Sequence, residues 1–283
     1  MRIVTAESAG FCFGVERAVS ETLRLSETGE KPVFTYGPVV HNETVVRTLE
    51  ERGVRVLESE ADLEALTGGT VVIRAHGIPK ETEEKLKRLP VAAADMTCPF
   101  VKKIHRIVSK HSALGETVVI AGDAEHPEVK GILGWCGGPA AVIRTAEELE
   151  ETGISKETPL CLVAQTTFNW QKYKILVEKI LKSGYNVIYT ADTVCNATAE
   201  RQKEAEKIAS DVDMMLVIGS PGSSNTRKLF EICSKKCNRS YFIRNAGDLR
   251  DSWFTDVTSI GITAGASTPK KILREVQTYV RKF

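Results

Sequence analysis

The segment Thr97-Cys98-Pro99-Phe100-Val101-Lys102-Lys103-Ile104-His105-Arg106-Ile107 places a cysteine just ahead of Val101, Ile104 and Ile107, which recur at helical spacing. Pro99 suits the first position of a helix, so Cys98 reads as a helix start. A strand-like run, Val118-Val119-Ile120, follows and ends in the loop Glu125-His126-Pro127-Glu128. A short strand at Ala141-Val142-Ile143, an acidic stretch at Glu147-Glu148-Leu149 and a further strand at Leu162-Val163-Ala164 lead into Gln165-Thr166-Thr167. Alternating strands and helices predict an α/β fold of parallel sheets with right-handed crossovers. Ligands gather at the carboxyl ends of such strands, where both polar loops lie.

The same order of elements surrounds two other cysteines. Cys12 heads a helix carrying Val15, Val19 and Leu23, then come the strand Pro32 to Tyr36 and the loop Val40-His41-Asn42. A helix with Val45, Val46 and Leu49 stops at Gly53, and the strands Val54 to Leu57 and Val71-Val72-Ile73 flank an acidic stretch at Asp62-Leu63. The second of these strands runs into Arg74-Ala75-His76-Gly77-Ile78-Pro79. Cys195 opens the third pass, with strands at Met214 to Ile218, Tyr241-Phe242-Ile243 and Ile260-Gly261-Ile262, and loops at Ser223-Ser224-Asn225 and Thr263-Ala264-Gly265-Ala266-Ser267. His41, His126 and Asn225 lie 29, 28 and 30 residues after their cysteines (41 − 12, 126 − 98, 225 − 195). His76, Thr167 and Ser267 lie 64, 69 and 72 residues after them (76 − 12, 167 − 98, 267 − 195). This phase predicts three pseudo-symmetric α/β lobes with parallel sheets, spanning 13–97, 98–193 and 194–283, with the strand in 1–12 packing onto the third. No Gly- or Pro-rich linker separates them, so the lobes are expected to pack together.

A chain of 283 residues with 42% apolar content exceeds the usual size of a single core. The balance of 38 basic against 37 acidic residues gives no attraction for nucleic acid or membrane, which points to a small-molecule partner. No apolar run approaches the roughly 20 residues needed to span a bilayer, and Met1-Arg2-Ile3-Val4 reads as a strand, not a signal peptide. A cytoplasmic location follows as an expectation, and there seven cysteines serve metal or redox chemistry better than disulfides.

Three thiolates at three helix starts are favoured by the helix dipole and free backbone N–H groups. Ferredoxin-type C-x-x-C-x-x-C spacing is missing, so ligands at Cys12, Cys98 and Cys195 would hold an iron-sulfur cluster with one iron open to water or substrate. His41, His76 and His126 fall in the strand-end loops, and Thr166, Thr167, Ser223, Ser224, Asn225 and Ser267 add hydroxyl and amide donors suited to phosphate oxygens. Glu128 is a natural proton donor or relay. Each has a structural competitor: Ser223 reads equally as a helix N-cap, Glu128 as a first-turn acid and His76 as a turn residue. Cys161 in an apolar strand and Cys136 in an apolar helix read as small hydrophobes. Cys233 and Cys237, four apart on a helix, lack partner ligands, His105 and His111 read as surface or packing residues, and the three tryptophans show no stacking pattern.

Gly10-Phe11-Cys12-Phe13-Gly14-Val15, Val39-Val40-His41-Asn42, Arg74-Ala75-His76-Gly77, Thr97-Cys98-Pro99, His126-Pro127-Glu128, Gln165-Thr166-Thr167, Ser223-Ser224-Asn225 and Thr263-Ala264-Gly265-Ala266-Ser267 together resemble the LytB/IspH family of 4-hydroxy-3-methylbut-2-enyl diphosphate reductases. The resemblance implies reductive dehydroxylation of that substrate to isopentenyl and dimethylallyl diphosphates, the last step of the non-mevalonate isoprenoid pathway. It implies one 4Fe-4S cluster on Cys12, Cys98 and Cys195, whose apical iron takes the substrate hydroxyl, within a fold of three lobes about the cluster. It further implies a diphosphate site of His41, His76, Ser223, Asn225 and Ser267, lined by His126 and Ser224, with a pocket threonine at Thr198. Glu128 with Thr166 or Thr167 would form the proton route, and a ferredoxin or flavodoxin would supply electrons. The loop Ser220-Pro221-Gly222 departs from many relatives, which leaves its shape open. Two rivals share parts of this pattern: an open-iron hydro-lyase, which needs no reductant, and a metal-bound sensor without turnover.

Overall fold

The computed structural model describes residues 1–283. In chain order the elements are β1 (Arg2–Thr5), α1 (Phe13–Thr28), β2 (Val33–Tyr36), α2 (Glu43–Glu50), β3 (Val54–Leu57), α3 (Glu60–Glu64), β4 (Thr70–Ile73), α4 (Lys80–Leu86), β5 (Ala92–Asp95), α5 (Pro99–Ala113), β6 (Thr117–Ala121) and α6 (Pro127–Leu133). They continue as β7 (Ala140–Ile143), α7 (Ala146–Glu151), β8 (Leu160–Ala164), α8 (Trp170–Lys182), β9 (Val187–Thr190), α9 (Asn196–Ala209), β10 (Met214–Ile218), α10 (Ser224–Ser234), β11 (Ser240–Ile243), β12 (Ser259–Ala264) and α11 (Lys270–Val280). The chain forms two compact units, one of Met1–Glu16, Val40–Thr48 and Asn196–Phe283, the other of Arg17–Val39 and Leu49–Cys195.

The first unit holds one four-stranded sheet, ordered β11-β10-β12-β1, with every pairing parallel. Met214 to Ile218 and Ile260 to Ala264 are fully buried along both central strands, as expected where helices cover both faces of a parallel sheet. One face packs Leu216, Ile218, Ile262 and Ile272, the other Met215, Val217, Ala205 and Leu229. Each fully buried aliphatic side chain of this kind contributes roughly 1.5–3 kcal/mol of transfer free energy.

The second unit holds two parallel sheets, β3-β2-β4-β5 and β7-β6-β8-β9. Taken from one edge, all three sheets follow one rule: second strand, first strand, third strand, fourth strand. β1, from the opposite end of the chain, takes in its sheet the place that β5 and β9 take in theirs. The α/β class with parallel sheets is therefore as the sequence pattern predicts.

The pattern missed the outer strands β5 and β9, and the reason is their exposure. Ala92-Ala93-Ala94-Asp95 has little strand propensity, and β9 is an exposed edge that shifts register between Leu160 and Cys161. Helix ends also differ from expectation. α6 stops at Leu133, so Cys136 lies in the turn beyond it, where its thiol meets the Ile132 carbonyl at 3.5 Å. α10 stops at Ser234, so Cys237 lies past the helix that carries Cys233. Aromatic stacking, absent from the sequence reading, is present: Trp135 lies on His105 with ring centroids 5.0 Å apart, and Trp253 on Tyr241 at 3.9 Å.

Candidate active site

Cys12, Cys98 and Cys195 each immediately precede a helix, α1, α5 and α9. All three are part-exposed, whereas Cys161 and Cys233 are buried. One hydrogen bond recurs at each. The Cys98 amide donates to the Ala75 carbonyl at 3.0 Å, that of Cys195 to Thr166 at 3.0 Å and that of Cys12 to Ala266 at 3.3 Å. Ala75, Thr166 and Ala266 directly precede His76, Thr167 and Ser267, so each cysteine is tied to the polar loop after the third strand of a sheet.

Two arginines reinforce these helix starts. Arg17, on α1, donates to the carbonyl of Thr97, just ahead of Cys98, at 2.7 Å. Arg201, on α9 and nearly fully buried, donates to the carbonyls of Ser8 at 2.6 and 2.9 Å and of Gly10 at 2.9 Å, ahead of Cys12. Glu204, one turn later, accepts from the Glu7 and Ser8 amides at 2.7 and 3.0 Å, so α9 holds the 7–10 loop by both charge types. The sequence reading missed both arginines. Their signal was their near-equal offset, five and six residues past a cysteine.

Cysteines outside the helix starts have the opposite character. Burial pushes the Cys161 and Cys233 thiols up to about 12 and that of Cys136 up to about 11, which disfavours the thiolate a metal needs. His111, Glu116 and Cys161 offer ligand atoms within 4.8 Å of one another, but His111 Nδ1 and Glu116 Oε2 already pair at 2.8 Å.

The second unit carries five of the sequence-predicted polar residues. His126 caps α6, its Nδ1 accepting from the Glu128 amide at 3.1 Å, which leaves Nε2 as the donor in the neutral ring. Pro127 occupies the first helical position and Glu128 the next, only 2% exposed. The Glu128 carboxylate accepts from the Thr166 amide at 2.6 Å and from its hydroxyl at 2.7 Å. Thr166 is thus bound to Glu128, while the Thr167 hydroxyl accepts from Gln165 Nε2 at 3.0 Å. The rings of His76 and His126 meet edge-on, 5.3 Å apart. The first-turn-acid reading of Glu128 is correct, yet the same carboxylate also binds Thr166 across the sheet end.

The first unit assembles another set. Ser267 donates to the His41 carbonyl at 3.2 Å. Ser223 caps α10 by accepting from the Thr226 amide at 3.3 Å, and Ser224 and Asn225 begin that helix, both buried. Thr198, also buried, lies in the first turn of α9. Asn225 is 3% exposed, yet neither its amide nitrogen nor its amide oxygen has a hydrogen-bond partner. A buried amide left this way costs about 1–3 kcal/mol, which a polar ligand would recover. The Ser220-Pro221-Gly222 loop is shaped by Ser220, whose hydroxyl donates to Glu43 Oε1 at 2.9 Å and accepts from the Gly222 amide at 3.2 Å. Gly265 allows the close approach of this region to α10, since a Cβ there would lie 2.0 Å from Thr226 Oγ1.

Comparison with known proteins places these features in a family. The family model described as LytB protein matches residues 3–281. The chain belongs to the LytB family. A relative from Geobacter sulfurreducens, named 4-hydroxy-3-methylbut-2-enyl diphosphate reductase, is 44% identical over 283 residues, covering 100% of this chain and 98% of its own. A relative of the same name from Caldanaerobacter subterraneus subsp. tengcongensis is 42% identical, with 98% and 95% covered. Among solved structures, one of (E)-4-hydroxy-3-methyl-but-2-enyl diphosphate reductase, the terminal enzyme of the non-mevalonate pathway, is similar at 38% identity and TM-score 0.72 over the full length of both chains. A second, the E-1-hydroxy-2-methyl-but-2-enyl-4-diphosphate reductase from Plasmodium falciparum, is similar at 25% identity and TM-score 0.91, covering 99% of this chain and 87% of that one. LytB proteins carry an iron-sulfur cofactor, and the donor chemistry here fits one: soft thiols, part-exposed, each at the positive end of a helix.

Proposed function

We infer that this LytB protein reduces 4-hydroxy-3-methylbut-2-enyl diphosphate to isopentenyl and dimethylallyl diphosphates, the terminal step of the non-mevalonate isoprenoid pathway. The observation that carries this is full-length similarity at 40–44% identity to reductases of that name, over 277–283 residues that include every motif of the site. In the reaction a C–O bond breaks and a C–H bond forms. Two electrons and two protons are consumed, and the oxygen leaves as water.

Cys12, Cys98 and Cys195 are the proposed ligands of one 4Fe-4S cluster. When bound, that cluster supplies single electrons and a Lewis-acid iron at the open position. Diphosphate contacts are proposed for His41, His76, Ser223, Asn225 and Ser267, and further substrate contacts for His126, Ser224 and Thr198. Neutral donors of this kind bind phosphate oxygens through directed hydrogen bonds, and the unpartnered Asn225 amide supports that role. Glu128 delivers a proton to the departing oxygen so that water leaves instead of hydroxide. Its bonds to the amide and hydroxyl of Thr166 support a relay in which Thr166 orients the carboxyl group, and Thr167 stands beside it in the same loop. A reductant partner is required by the stoichiometry. No helix is long and apolar enough to cross a membrane, and a ferredoxin or flavodoxin in the cytoplasm is the proposed donor.

The test is anaerobic purification with an iron and sulfide count, followed by turnover with reduced methyl viologen and the diphosphate substrate. About four irons and four sulfides per chain, with reductant-dependent product, are expected. Zinc in place of iron, or absent sulfide, would sink the reading, and turnover without reductant would mark a hydro-lyase instead.

A further inference from the structure

α5 begins directly after Cys98 and carries Lys102, Lys103, Arg106 and Lys110 with no carboxylate. Every other helix of eight residues or more has at least one acidic residue. In a chain with 38 basic and 37 acidic residues this is a local excess, not a reflection of composition. Lys102 is neutralised by Asp95 at 2.5 Å. Lys103, Arg106 and Lys110 are exposed and have no carboxylate within ion-pair distance. Their spacing of three and four residues sets them on one face of the helix. At 1.5 Å rise per residue they stand about 8, 12 and 18 Å along the axis from Cys98. Phe100, two residues past that cysteine, is 42% exposed.

A groove of about 490 Å³ runs beside this row, lined by Asp95, Lys102, His105, Arg106, Lys110 and Trp135. Glu83 also borders it, but this carboxylate pairs with Lys87 at 2.6 Å, as Asp95 does with Lys102. The uncompensated charge on this face is therefore positive.

We propose that the exposed face of α5 is the docking surface for an acidic electron-donor protein, which presents carboxylates to Lys103, Arg106 and Lys110 and brings its redox centre towards Cys98. This rests on the reductase reading, which requires two electrons the substrate cannot provide. The donor is oxidised by one electron at each of two encounters, and both electrons end in the C–H bond and water described above. Three cations on a single stripe form too small a footprint for a long polyanion, and their place next to a proposed cluster ligand benefits an electron carrier in particular. Charge complementarity of this type steers encounter and is screened by salt.

The experiment titrates an acidic ferredoxin into the cluster-loaded protein by calorimetry, at low salt and at high salt, and compares the K103E/R106E/K110E variant. A control reverses three cations on and just after α11, at Lys271, Arg274 and Lys282. Expected are binding that weakens with salt and a Kd raised at least about tenfold in the α5 variant, equal to about 1.4 kcal/mol, with the α11 variant unchanged. Iron content and methyl viologen-driven turnover should be the same in all three proteins. An unaltered Kd in the α5 variant, or an equal loss in the α11 variant, overturns the proposal. Absence of dye-driven turnover in the unmodified protein would instead overturn the reductase reading, and the binding data would still judge the docking face.

Discussion

Glu128 joins an observed structural role to the proposed proton transfer. Both carboxylate oxygens are held by Thr166, and its burial at 2% exposure keeps water from competing for them. Glu128→Gln keeps the shape but removes the transferable proton, so turnover with reduced methyl viologen should fall about 10²- to 10⁴-fold, with iron and sulfide content unchanged. Near-normal turnover would remove Glu128 from the proton route. The cysteines divide in the same spirit. Cys136→Ala, Cys161→Ala, Cys233→Ala and Cys237→Ala should each retain full iron, while Ala at Cys12, Cys98 or Cys195 should lose it; iron loss in any of the first four would mean that the ligands are wrongly chosen. That Cys12, Cys98 and Cys195 each head a helix was legible because helix starts are local properties. The Thr166 bond to Glu128 was not, since it joins residues 38 apart in sequence through the geometry of the β6 and β8 ends.

At the level of elements, the helices after the cysteines have a second duty that sequence periodicity does not reveal. Arg17 and Arg201 belong to polar positions of α1 and α9, which a pattern reading assigns to solvent, yet each reaches the carbonyls ahead of another cysteine. Arg201→Met should cost about 1.5–3 kcal/mol, the range for hydrogen bonds to a charged group, read as a lowered denaturant midpoint, and should lower iron per chain at unchanged far-UV circular dichroism. Arg201→Lys should restore part of both. α5 yields a pH prediction. Burial holds the His105 imidazole down at about 4, against a partial opposing pull from Asp95. Between pH 6.5 and 4 the unfolded chain therefore binds a proton that the folded chain refuses, and stability falls as pH falls through that window. The full loss is on the order of 3 kcal/mol. Urea midpoints at pH 7 and pH 4.5 should differ less in His105→Gln than in the unmodified protein, and an equal difference would acquit His105. The Trp135 stack that buries this histidine joins residues 30 apart, which explains why it had no sequence signature.

Over the whole molecule, the repeat visible in cysteine-to-loop offsets corresponds to one strand order used three times, with β1 supplying the outer strand of the sheet whose other strands lie at the far end of the chain. That closure could not be read from hydrophobic runs, because parallel pairing of β1 with β12 depends on register between segments more than 250 residues apart. Each sheet nevertheless packs a core from its own strands and helices: Phe34, Leu63 and Val71 in one, Val119, Leu162 and Leu176 in another, Leu216, Ile262 and Val276 in the third. On the proposed ligation, a cofactor held at the three helix starts would add stability to sheets that already have their own cores, unlike the small metal-dependent domains that unfold without their ion. Removing the cluster with an iron chelator under anaerobic conditions should leave far-UV circular dichroism unchanged and lower Tm. Faster amide hydrogen exchange should appear in the first turns of α1, α5 and α9 and in the Ala75, Thr166 and Ala266 loops, while β6, β8, β10 and β12 stay protected. If the strands lose protection together with those helix starts, the sheets do not stand on their own cores, and the cofactor is part of the fold itself.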